Sequence, residues 1–153
     1  MQFPDFPTEA PETPFSFHFE DVAFELPDTG QLMAWLSAVA EEEGKTLVEV
    51  TYVFCSDERL REINVEFLDH DYYTDIITFP YADDRIHGDI FISSERVADN
   101  AQTLGVDFEH ELCRVLVHGV LHLAGYSDKT PDEERAMRAR EDHYLAKFGM
   151  ISK

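Results

Sequence analysis

Phe15, Phe17 and Phe19 alternate with Ser16, His18 and Glu20, a period of two that predicts a half-buried strand. The alternation slips at Asp21 and resumes through Val22, Phe24 and Leu26, as a bulge or tight turn would make it do. From Asp28 the period changes to that of a helix: Leu32, Trp35, Leu36 and Val39 share a face, Asp28 can cap it, and Gly44 ends it. Val48, Val50, Tyr52 and Phe54 predict a second strand. Ser56 then caps a helix with the stripe Leu60, Ile63 and Phe67.

A polar connector, residues 64–75, leads to two short apolar runs, 76–81 and 89–93, which predict an antiparallel hairpin around the polar loop 83–88. Ser93 or Ser94 caps a helix bearing Val97, Ala101 and Leu104, closed by Gly105. Asp107 caps the next helix, which is apolar on nearly every side (Phe108, Leu112, Val115, Leu116, Val117, Val120, Leu121) and is therefore expected at the centre of the fold. Thr130, Pro131 and Glu133 form a capping box for a last helix running to about Phe148, with Met137, Tyr144 and Phe148 inward and Gly149 at its end. The fold class expected is α+β: one domain, a mixed sheet of about four strands, about five helices and a central helix that carries the chemistry.

That chemistry lies in His118-Gly-Val-Leu-His122-Leu-Ala-Gly125-Tyr-Ser-Asp128. Two histidines four apart stand about 6 Å from each other along a helix axis and can converge on one ion. Gly125 can adopt the left-handed conformation that stops a helix, which lets Asp128 return as a third ligand. Three N/O ligands without cysteine suit Zn²⁺ with an open fourth position, one ion per chain, and a water activated there can act as a nucleophile. The competing explanation, packed histidines and a turn-capping aspartate, fits the spacing less well. His110, Arg114, His118 and His122 form an i, i+4 ladder, so Arg114 is a candidate to hold an anionic substrate and equally a candidate for a salt bridge. Asp89 and Glu111 are candidate general bases; His18, His70 and His87 lack a spaced partner and are expected to be ordinary polar histidines.

Length and charge narrow the picture. With 153 residues the chain can bury a core without disulfides, and its two cysteines, Cys55 and Cys113, fit no C-x-x-C pattern, so free thiols in a reducing, cytoplasmic compartment are expected. No apolar run is long enough for a membrane span, and residues 1–14, acidic with four prolines, are expected to be a flexible tail preceding one domain over 15–153. The net charge of −20, from 32 acidic and 12 basic residues, opposes bulk nucleic-acid binding unless salt screens it or a basic patch stands apart. Such a surface also suits a high-salt cytoplasm.

Three segments fit a known family: Asn64 through Thr74-Asp75-Ile-Ile-Thr-Phe79-Pro80, against the family's T-[DN]-V-L-S-F-P; Gly88-Asp89-Ile90; and His118-Gly119-x-Leu121-His122-Leu123-x-Gly125. Over roughly residues 46 to 128 the chain resembles the YbeY family of bacterial ribosomal-RNA maturation factors, metal-dependent endoribonucleases. Glycine at 119 separates this pattern from the HExxH proteases, which carry their general base there. Two departures stand out: the family's third histidine is replaced by Asp128, whose oxygen also suits Mn²⁺, and Leu68 occupies the place of a common RNA-contacting arginine. Arg59, Arg61, Arg85 and Arg114 remain as candidate phosphate contacts.

The resemblance implies a zinc-dependent single-strand endoribonuclease of small-subunit ribosomal RNA maturation and ribosome biogenesis. Its expected partners are ribosomal RNA and the small ribosomal subunit. His118, His122 and Asp128 would hold the ion and Arg114 and Asp89 would serve catalysis. A non-catalytic ribosome-assembly factor with structural zinc is the alternative, and a metalloprotease-like hydrolase the third reading.

Overall fold

The computed structural model describes residues 14–71 and 73–148. Apart from Pro14, the expected N-terminal tail lies outside the described residues, as does Gly149. Among the described residues are four strands, β1 (Phe15–Phe19), β2 (Leu47–Cys55), β3 (Ile76–Pro80) and β4 (Ile86–Ser93), and five helices, α1 (Thr29–Glu42), α2 (Asp57–Leu68), α3 (Ser94–Leu104), α4 (Phe108–Leu123) and α5 (Pro131–Lys147). The sheet order is β1-β2-β4-β3. β1 and β4 run parallel to β2, and β3 pairs antiparallel with β4 as the hairpin pattern required.

Strand alternation sorts the sheet into two faces. Phe15, Val50, Tyr52, Phe54, Ile86, Ile90 and Ile92 join α4 in the main core, while Cys55, Ile77, Phe79 and Phe91 meet Leu60 and Ile63 of α2 on the other side. α4 packs on the sheet and against α1, α3 and α5. Its central place explains why it is apolar on nearly every side, from Leu112 to Leu121. The Tyr52 hydroxyl, fully buried, donates to the Leu116 carbonyl at 2.8 Å and ties sheet to helix. Trp35 is core, its Nε1–H donating to the Tyr144 carbonyl at 2.9 Å.

Several expectations needed correction. Residues 22–26 form no strand: Glu20 N–H reaches Phe54 O at 2.9 Å, and the Asp21 carboxylate then accepts from Ser56 N–H and Oγ–H at 2.8 and 2.6 Å, turning the chain off the sheet. The alternating residues still pack inward, with the Phe24 ring 5.0 Å from that of Phe54 and 5.3 Å from that of Phe108. β4 begins at Ile86, three residues before the expected start, because Gly88 hides the alternation; a Cβ there would lie 2.5 Å from Phe79 O. Phe67 and Leu104 are exposed, since the stripes they extend outrun the surface that covers them. Of the two serines expected to cap α3 it is Ser93 that does so, whereas Asp107 sits at the start of α4 without a side-chain cap hydrogen bond.

Candidate metal centre

α4 ends as the sequence required. Ala124 closes it, Gly125 follows at φ 114°, and the Gly125 N–H donates to His122 O at 3.0 Å. The reversed loop brings Asp128 back over the last turns. Its Oδ2 stands 3.5 Å from His118 Nε2 and 3.5 Å from His122 Nε2. One ligand atom from each of the three residues lies within 4.8 Å of the others. Nitrogen and oxygen bound at 2.0–2.1 Å in a tetrahedral site are separated by about 3.3 Å, so the two 3.5 Å edges fit a single ion with little adjustment. The three side chains are partly buried, at 19, 23 and 37% exposure, which leaves an open side.

The outer nitrogens are also committed. His118 Nδ1 is 2.5 Å from Glu141 Oε2, and His122 Nδ1 is 3.0 Å from the Tyr126 carbonyl. Both partners are acceptors, so each Nδ1 is suited to carry a proton, leaving Nε2, on the Asp128 side, as the atom available to an ion. Burial disfavours the imidazolium of His118, but Glu141 and Asp128 outweigh it and hold its pKa above the ordinary value. Burial and the neighbouring His118 push His122 down.

Beside the centre opens a cleft of about 820 Å³, with Val115 and Met137 among its apolar residues and Asp75, Glu111, Asp128, Glu134, Glu141 and Asp142 among its acidic ones. Three arginines also line it: Arg114, Arg135 and Arg138. Arg114 is 12% exposed and holds Glu141 at 2.9 Å and Asp142 at 2.8 Å. Arg138 is 57% exposed, with Glu141 at 4.0 Å its nearest carboxylate contact, and Arg135 is more exposed still, paired with Asp132. Glu111 is buried with Oε1 unpartnered; burial pushes its carboxyl above the usual range, against the pull of Arg114 and Arg138.

The structure brings His118, His122, Asp128 and Arg114 together, with Glu111 on the same cleft, and leaves other candidates elsewhere. Asp89 projects from β4 on the face opposite α4: Gly88 and Ile90 face the helix, whereas Asp89 pairs with Phe79 and accepts from the Tyr81 hydroxyl. Asp89 therefore does not line the cleft. Arg59 pairs with Glu20 and Glu62, Arg61 with Glu58 and Asp71, and Arg85 with Asp84, all away from the cleft. His18 and His70 are exposed, and the His87 ring packs edge-on against Tyr81 at 5.1 Å. Glu141, Arg135 and Arg138 were missed by sequence reasoning. Glu141 meets His118 across 23 residues, a pairing that no local spacing signals. The i, i+3 pair Arg135 and Arg138 was visible, but only the packing of α5 beside α4 turns it toward a site.

The family model described as Endoribonuclease YbeY matches residues 19–149. A protein named Endoribonuclease YbeY from Cytophaga hutchinsonii is 50% identical over 137 residues, covering 88% of this chain and 95% of that one. Its namesake from Flavobacterium johnsoniae is 48% identical over 134 residues, covering 87% and 96%. Among solved structures, the solution structure of a Thermotoga maritima protein matches with a TM-score of 0.60 at 25% identity, covering 88% of this chain and 91% of that one. Near half identity along almost the full length of such relatives, in a fold whose histidine-bearing helix sits where the motif predicted, leaves one assignment: the chain belongs to the YbeY family.

Proposed function

We propose that the protein is a metal-dependent endoribonuclease of ribosomal RNA maturation, with His118, His122 and Asp128 holding one Zn²⁺ and the small ribosomal subunit as the setting of its substrate. The observation that carries the reading is the convergence of two Nε2 atoms and one carboxylate oxygen, with Asp128 Oδ2 3.5 Å from each nitrogen, and with His118 and Asp128 on the wall of an open cleft. When bound, the ion supplies an activated water and Lewis-acid polarisation of a phosphoryl oxygen. The carboxylate in the ligand set also suits Mn²⁺.

The chain's own residues supply orientation and charge. Glu141 and the Tyr126 carbonyl fix the imidazoles, and the arginines of the cleft offset its acidic wall. Because Arg114 is already engaged by two carboxylates, Arg138 and Arg135 are the guanidiniums with most freedom to meet phosphate. Set among six acidic residues of the cleft, they are the cations through which a chain of net charge −20 would meet RNA. Among the described residues no helix is long and apolar enough to cross a membrane, and two buried free thiols, each pushed up to about 12 by burial, accord with a reducing cytoplasm.

The test is metal content by elemental mass spectrometry, with cleavage of a single-stranded ribosomal RNA fragment, on wild type and Asp128→Ala together. About one zinc per chain and cleavage in wild type, with both lost in the variant, is the expected result. Cleavage by a wild-type protein carrying no metal would overturn the metal-dependent reading. Ribosomal-particle binding without cleavage by metal-loaded protein would instead favour an assembly factor.

A further inference from the structure

The carboxylate behind His118 links a candidate metal ligand to a buried arginine. Glu141 is 3% exposed, on α5, and both of its oxygens are used: Oε2 faces His118 Nδ1 at 2.5 Å and Oε1 faces Arg114 Nη1 at 2.9 Å. A carboxylate offers only acceptors, so this contact requires the proton on Nδ1. His122 has a neutral carbonyl in the equivalent place, at 3.0 Å. The two ligands are thus held unequally, one by a charge-assisted bond and one by an ordinary one.

We propose that Glu141 is a positioning residue for the metal, fixing His118 as the Nδ1–H tautomer with Nε2 aimed at the ion, and that Arg114 serves to hold Glu141 in that task. The inference rests on the metal reading above. It changes the role of Arg114: with Glu141 at 2.9 Å, Asp142 at 2.8 Å and only 12% of the side chain exposed, Arg114 would have to give up existing partners to grip a phosphate. A carboxylate hydrogen-bonded to a ligating imidazole sets its orientation and raises its basicity, and losing such a partner weakens metal binding by roughly 10- to 100-fold.

The test is zinc affinity of the purified full chain, by competition with a chromophoric chelator, for wild type, Glu141→Gln and Glu141→Ala, with thermal melts to confirm folding. Glu141→Ala is expected to bind zinc roughly 10- to 100-fold more weakly. Glu141→Gln, whose amide oxygen still accepts from Nδ1–H without the charge, is expected to recover part of the loss. Affinity equal to wild type in a folded Glu141→Ala protein would overturn the positioning role while leaving the metal centre intact. A wild type with no measurable zinc affinity would instead sink the metal centre itself.

Because alanine at so buried a position can unfold the chain, a second measurement uses the metal-free wild type. Nitrogen-15 NMR of the imidazoles, at a pH where His118 is neutral, is expected to show the Nδ1–H tautomer. A predominant Nε2–H tautomer would overturn the proposal. For Arg114→Gln, weakened zinc binding is expected; zinc affinity equal to wild type in the folded variant, with a raised RNA KM, would return Arg114 to the substrate.

Discussion

A Cβ placed on Gly119 would lie 2.7 Å from Ile90 Cδ1 and 3.1 Å from Ile90 Cγ2, so α4 and β4 touch through the absence of a side chain. Gly119 follows the first histidine, where HExxH proteases carry their glutamate. In this chain that position faces the sheet, and a glutamate there would be driven into Ile90 rather than toward a bound water. Gly119→Ala is expected to destabilise the fold by about 1–3 kcal/mol through overpacking, offset in part by alanine's better helix propensity. Urea denaturation at neutral pH measures this; a variant as stable as wild type would mean that Ile90 has room to move.

Glu43, just past α1, ties the loop that carries Asp128 to α5. Tyr126 Oη–H donates to it at 2.9 Å, Arg140 Nη2 at 2.8 Å, and the Tyr144 hydroxyl also donates. Burial raises the Glu43 carboxyl, but the three hydrogen bonds outweigh it and its pKa lies below the ordinary 4.5. A depressed carboxyl contributes stability above its unfolded value and loses it as pH falls through its folded one. Glu43→Gln is therefore expected to cost on the order of 1–3 kcal/mol at neutral pH, the gap to wild type closing as pH falls below the ordinary 4.5. Chemical denaturation across pH checks it, and a constant gap would assign the loss to packing.

Glu111 has the opposite sign. Its folded pKa is raised by burial, so the carboxyl favours folding below the ordinary 4.5 and that contribution is lost as pH rises through the folded value. Glu111→Gln should raise the melting temperature in mildly alkaline buffer and leave it nearly unchanged in acid below that value. A variant less stable than wild type at alkaline pH would show that the Glu111 charge is needed where it stands.

Arg138 and Arg135 test how so acidic a protein approaches RNA. Arg138→Glu is expected to raise KM for RNA at least several-fold and flatten its salt dependence, with zinc content unchanged, because one phosphate contact contributes about one unit to the logarithmic salt slope. Arg59→Glu, remote from the cleft, is expected to change KM far less. Equal effects at both positions would point to a general field rather than a cleft contact.

Local pattern was enough for most elements, though not for the start of β4, which Gly88 hides, nor for residues 22–26, which form no strand. Alternation set β1 and β2, amphipathic spacing set α1 and the core of α2, and cap residues such as Ser56 and Thr130 marked helix starts, because each signal depends on residues a few positions apart. The His118, His122 and Asp128 group was legible for the same reason: one helical turn, one glycine and one short loop bring it together. Tertiary structure decided what lies behind and around it. The pairing of His118 with Glu141, the engagement of Arg114, the cleft face of Arg138 and the placement of Asp89 beyond the sheet all depend on how α5 and β4 pack against α4. Sequence spacing places a side chain on its own helix or strand; which charge it meets is determined only when elements far apart in the chain are packed together.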